Sequence, residues 1–166
     1  MKNRLFALLF VVISIFAFTG MASADWTAKI TAEGQKIQGQ YKSYVTIGVA
    51  SKEKQTAAPP KAPYFSCNLA LIPMPGWTPY LTKDIREDGQ ESNTWVIAVN
   101  PHGNMGGFDD STATISWDPS QLGDGSFKLV EGLDDSGEVL ISDMKTVTSF
   151  DVSGWDREFY FTIIQE

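Results

Sequence analysis

Thr112-Ala113-Thr114-Ile115-Ser116-Trp117-Asp118-Pro119 decides the fold class. Ala113, Ile115 and Trp117 alternate with Thr112, Thr114 and Ser116. A repeat of two with β-branched and aromatic residues suits a half-buried strand, and Asp118-Pro119 ends it in a turn. The same pattern recurs on both sides. Upstream lie Trp26/Ala28/Ile30, Val45/Ile47/Val49, Phe65/Cys67/Leu69/Leu71 and Trp95/Ile97/Val99. Downstream lie Phe127/Leu129, Val139/Ile141 and Phe159/Phe161/Ile163. Turn pairs separate many of these runs: Glu33-Gly34, Asp88-Gly89, Gly106-Gly107, Asp124-Gly125, Ser136-Gly137 and Ser153-Gly154. No stretch carries a capped helical period, and strands do not alternate with helices, so a parallel α/β sheet is disfavoured. The pattern predicts one all-β domain, an antiparallel sandwich. Ser51–Pro63 and Pro73–Pro79 read as loops, because proline donates no ladder hydrogen bond.

The N-terminus reads differently. Lys2 and Arg4 precede an apolar run from Leu5 to Phe18, followed by Ala22-Ser23-Ala24. Positive start, short apolar middle and small-x-small end predict a signal peptide over residues 1–24, with the domain over 25–166. The run is short for a bilayer of roughly 30 Å, and no second run is long enough to span one. The protein is therefore expected to be exported, periplasmic or extracellular, without a transmembrane segment after cleavage. Loss of residues 1–24 removes two cations and no acid. The full chain carries −7 and the remainder −9. Such a charge disfavours nucleic acid and anionic lipid. Cys67 is the only cysteine, so the core must hold the fold without an internal disulfide. Its alternation with Leu69 and Leu71 points it inward.

Several segments of the second half share a particular look: Asn93–Val99, Ala113–Pro119, Phe127-Lys128-Leu129, Ile141–Lys145, Phe150 and Arg157–Ile163. This resembles the immunoglobulin-like or fibronectin-III-like modules of secreted bacterial surface proteins, over roughly Ser43–Ile164. The resemblance implies a sandwich, and alternation points Trp95 and Trp117 inward, where their size suits them to centre its core. The resemblance also implies a non-catalytic role in adhesion or surface assembly.

Catalytic chemistry finds few residues. The only histidine, His102, sits in a Gly-rich loop with no nucleophile elbow, which disfavours a hydrolase triad. One histidine and one cysteine do not make a usual zinc site. A glycosidase needs only two carboxylates, but the acids here sit mostly in turns. The chain therefore reads as a non-enzyme. Calcium is the one cofactor considered, on the acidic pairs Asp109-Asp110 and Asp134-Asp135, since hard cations take oxygens from loops. Acidic turns are more often simply solvated.

For binding, the reading is a protein partner or self-association through a sheet edge or loops, with Asp25–Thr31 as a candidate exchange strand. The alternative is a carbohydrate-binding module using Trp77, Tyr80 and Trp155 on a polysaccharide. A third reading is an immunoglobulin-like protease inhibitor presenting Asn100–Gly107.

Overall fold

The computed structural model describes residues 25–34, 42–58, 67–73, 80–101, 111–154 and 157–166. They form β1 (Trp26–Gly34), β2 (Lys42–Ala50), β3 (Lys54–Ala57), β4 (Asn68–Ile72), β5 (Leu81–Glu87) and β6 (Asn93–Asn100). β7 (Ser111–Trp117), β8 (Phe127–Glu131), β9 (Val139–Ile141), β10 (Ser149–Gly154) and β11 (Phe159–Gln165) follow. The all-β reading holds. The only helical turn among the described residues is a 3-10 turn at Pro119–Gln121. Asp118 caps it, Oδ1 accepting from the Ser120 amide at 2.9 Å. No helix among these residues is long and apolar enough to cross a membrane.

The strands are hydrogen-bonded in the order β10-β7-β1-β2-β5-β4-β6-β11-β8-β9, with β3 also on β5. This is one mixed, curled sheet. Among the described residues every pair is antiparallel except β2 and β5, which run parallel from Thr46↔Lys83 to Ala50↔Glu87. A purely antiparallel arrangement was expected, and this pair departs from it. A parallel pair needs a crossover rather than a hairpin. Here the chain between β2 and β5 supplies it, including β3 and β4.

Alternation sends one face inward. Ala28, Ile30, Val45, Ile47, Trp95, Ile97, Ala113, Ile115, Phe127, Leu129 and Ile163 are buried in one cluster. Strands far apart in the sheet order meet across it. Trp26 on β1 stands edge-on to Trp95 on β6 (5.6 Å) and Phe127 on β8 (5.3 Å). Phe150 on β10 meets Phe161 on β11 at 5.0 Å. A buried indole N–H usually finds an acceptor. Trp95 Nε1 donates to the Asp84 carbonyl at 3.0 Å and Trp117 Nε1 to the Met144 carbonyl at 2.7 Å. Cys67 is buried, as its alternation predicts.

Other elements differ from the sequence reading. β3 lies inside the stretch read as loop, and β5 and β10 were not read as strands. β1 and β10 run through Gly34 and Gly154, which were read as turn residues. β1 lies between β2 and β7 with Ala28, Ile30 and Ala32 wholly buried. Asp25–Thr31 is therefore not an edge available for exchange. Arg157 lies over the Phe159 ring at 4.4 Å.

Candidate functional site

Of the proposed binding aromatics, Trp77 and Trp155 lie outside the described residues, as do Asp109 and Asp110. Tyr80 is described. It precedes β5 and packs with Tyr160 on a small outer-face cluster of Ile72, Val96 and Ala98. Its hydroxyl donates to Glu158 Oε2 at 2.7 Å, and the Tyr160 hydroxyl donates to the same oxygen at 3.2 Å. Burial, followed by the hydrogen bond to Glu158 and the charge on it, pushes Tyr80 up to about 12. Tyr160 is raised by the same causes. Both phenols therefore stay protonated donors at neutral pH. The geometry braces the start of β5 against the start of β11.

Asp134 and Asp135 lie exposed in the β8–β9 connection. Asp134 Oδ1 accepts from the Ser136 amide at 2.9 Å and from its hydroxyl at 2.6 Å. These bonds hold its carboxyl below the ordinary range. This is an Asx turn, the local bond that suits aspartate to tight connections. Among the described residues no group of three or more histidine, cysteine or acidic side chains could hold a metal.

A feature that sequence reading missed lies on the same hairpin. Among the described residues the exposed large apolar side chains are Tyr44, Leu133, Val139, Leu140 and Val147. Four of the five fall between positions 133 and 147. Tyr44 is the exception, and the Lys29 ammonium covers its ring at 4.0 Å. The segment is built from polar self-bonding and two apolar anchors. Gly132 turns the chain at φ 107°, and a Cβ on Gly137 would strike the Glu131 carbonyl. Asp143 ends the segment, its carboxylate accepting from the Lys145 amide at 2.8 Å and its carbonyl from the Val147 amide at 3.1 Å. Ile141 and Met144 are the anchors, both buried.

β9 was read with Val139 and Ile141 on one face. The register slips between Leu129↔Ile141 and Val130↔Val139, so Leu140 is an extra residue opposite the step. A bulge of this kind breaks the alternation. Ile141 stays inside, while Val139 is 51% exposed and Leu140 42%. β9 ends the strand order, paired only to β8 among the described residues. The sequence signal was weak: Leu133 stands amid Gly132, Asp134 and Asp135, where a leucine serves no turn.

A second feature is polar. On β5, Asp84 is 1% exposed and Arg86 grips it, Nη2 to Oδ2 at 2.9 Å. Gln55 Nε2 on β3 donates to Asp84 Oδ1 at 3.2 Å. Burial raises the Asp84 pKa, while Arg86 and Gln55 pull it back.

No protein-family model matches the chain, and no curated protein or solved structure matches it.

Proposed function

We propose that the chain is an exported, non-catalytic immunoglobulin-like or fibronectin-III-like module. It acts by protein contact in adhesion or in surface or envelope assembly. The observation that carries this reading is the run of exposed Leu133, Val139, Leu140 and Val147 around the edge strand β9. Water gains nothing from holding these side chains, and apolar exposure gathered in one segment is a mark of contact surfaces. An edge strand adds main-chain donors and acceptors to a partner's reach. The bulge and the three-residue length of β9 limit strand addition, so side chains supply most of the contact. The resemblance supports the reading because Trp95, Trp117, Phe127 and Phe161, which help to carry it, all pack in the core.

The test is in-cell crosslinking of the protein in its own host, comparing the native chain with Val139→Lys/Leu140→Lys and with a Tyr44→Ser control. One stoichiometric adduct that disappears in the lysine variant and survives in the control is the expected outcome. An adduct equally strong in all three removes β9 from the function. N-terminal sequencing of the exported form checks the compartment, with Asp25 expected as its first residue.

A further inference from the structure

Where β5 turns into β6, an open cleft of about 310 Å³ is lined by Glu53, Arg86, Glu87, Gln90, Ser92, Asn93 and Thr94. No aromatic or aliphatic residue contributes to it. The turn beside it passes through Gly89 at φ 84°.

Two charged groups of the cleft, Arg86 and Glu53, are held by hydrogen bonds. Arg86 is tied by Nη2 to buried Asp84 at 2.9 Å and to the Thr94 carbonyl at 3.2 Å. Gln55 Nε2 donates both to Asp84 Oδ1 at 3.2 Å and to Glu53 Oε1 at 3.1 Å. One chain of bonds therefore sets a guanidinium and a carboxylate on the same cleft before any ligand arrives. The floor is firm as well. Asn93 is 9% exposed, and its Nδ2 donates to Gln165 Oε1 at 3.3 Å. Fixed donors and acceptors reduce the ordering that binding must otherwise supply.

Charge then selects the ligand class. A cation is drawn by Glu53 and Glu87 but meets Arg86. An anion is drawn by Arg86 but meets two carboxylates on a chain whose net charge is −7. An apolar ligand finds little surface to bury, because the lining is mostly polar. A neutral molecule with closely spaced hydroxyls uses the whole lining. It donates to the carboxylates and accepts from guanidinium, amide and hydroxyl groups. The volume lies near the lower bound of ligand pockets, roughly 300 Å³, which suits one or two sugar rings. We infer that the Arg86 cleft is a binding site for a neutral saccharide, separate from the β9 surface.

The experiment is an amide-resolved NMR titration of the purified protein with maltotriose, cellotriose and tri-N-acetylchitotriose. Triglycine, spermidine and citrate serve as comparators. Saturable shifts are expected at Ser92, Asn93, Thr94 and the Gln90 side-chain amide with at least one neutral trisaccharide. Affinity should fall at least tenfold in Gln90→Ala/Ser92→Ala. Both positions are exposed, so this variant leaves the fold intact, whereas removing Arg86 strands a buried carboxylate. The proposal is overturned if no trisaccharide gives saturable shifts there. It is equally overturned if only triglycine, spermidine or citrate saturates the site, or if the sugar shifts persist in the double variant.

Discussion

Asp84 shows how a single residue can run against its element's pattern. Its carboxyl is raised above its ordinary 3.8, chiefly because it is buried. The folded chain then holds that proton more tightly than the unfolded chain. Ionised Asp84 therefore opposes folding at neutral pH, and this opposition fades as pH falls through the raised value and ends below 3.8. Asp118 and Asp134, held low by Ser120 and Ser136, act oppositely: their support is lost only as pH falls through their lowered values. The native protein should gain stability relative to Asp84→Asn between neutral pH and about 3.8. Urea midpoints across that range check it, and a relative loss would mean that Arg86 outweighs burial. Cys67 offers a simpler test. Burial pushes its thiol up to about 12, and only the thiolate is a good nucleophile. Disulfide-exchange reagents should therefore label it only after denaturation, and fast labelling of the native protein would contradict its placement. Gly48 is tighter still, since a Cβ there would sit 2.2 Å from the Trp26 carbonyl oxygen. Overpacking of this kind costs about 1–3 kcal/mol, so Gly48→Ala should lower the urea midpoint accordingly.

Among the elements, β9 separates stability from the proposed contact most cleanly. Val139 and Leu140 are exposed, and Ile141 is 7% exposed. Val139→Lys/Leu140→Lys should change stability by no more than about 0.5 kcal/mol per site. Ile141→Ala should cost about 2–5 kcal/mol, because it empties a packed position. Equilibrium denaturation of the two variants distinguishes them, and a large loss in the lysine variant would mean that those side chains are packed. Elements with clean alternation, such as β7, were legible in the sequence. Its Ala113, Ile115 and Trp117 are buried as read. β5 was not legible, because Lys83, Asp84, Arg86 and Glu87 look like loop. Its polarity is tolerated because β3 and Arg86 hydrogen-bond the buried carboxylate, and those partners come from outside the local pattern or two residues away. β3 was hidden for another reason: all four of its residues are exposed, so no apolar alternation marks it.

Taken as a whole, the molecule closes one core from a single curled sheet. Trp26 on one strand meets Trp95 and Phe127 on two others edge to face, at 5.6 and 5.3 Å between ring centres. Among the described residues, one core cluster draws on strands from both ends of the strand order. Tryptophan fluorescence and far-ultraviolet circular dichroism should therefore give one coincident urea transition. Two separated midpoints would mean that the parallel β2–β5 pair divides independent units.

The sequence by itself determined the all-β class, the inward faces of β1, β2, β4, β6, β7, β8 and β11, the buried cysteine and the central tryptophans. These follow from side-chain alternation, which is local and repeats every two residues. Tertiary structure alone decided the parallel β2–β5 pairing, the exposure of Val139 at the bulge, the Tyr80–Glu158 brace and the meeting of Glu53, Asp84, Arg86 and Asn93. Each depends on which distant segments lie side by side. Strand order and register are set by how the whole apolar face closes on itself, and no window of neighbouring residues contains that information.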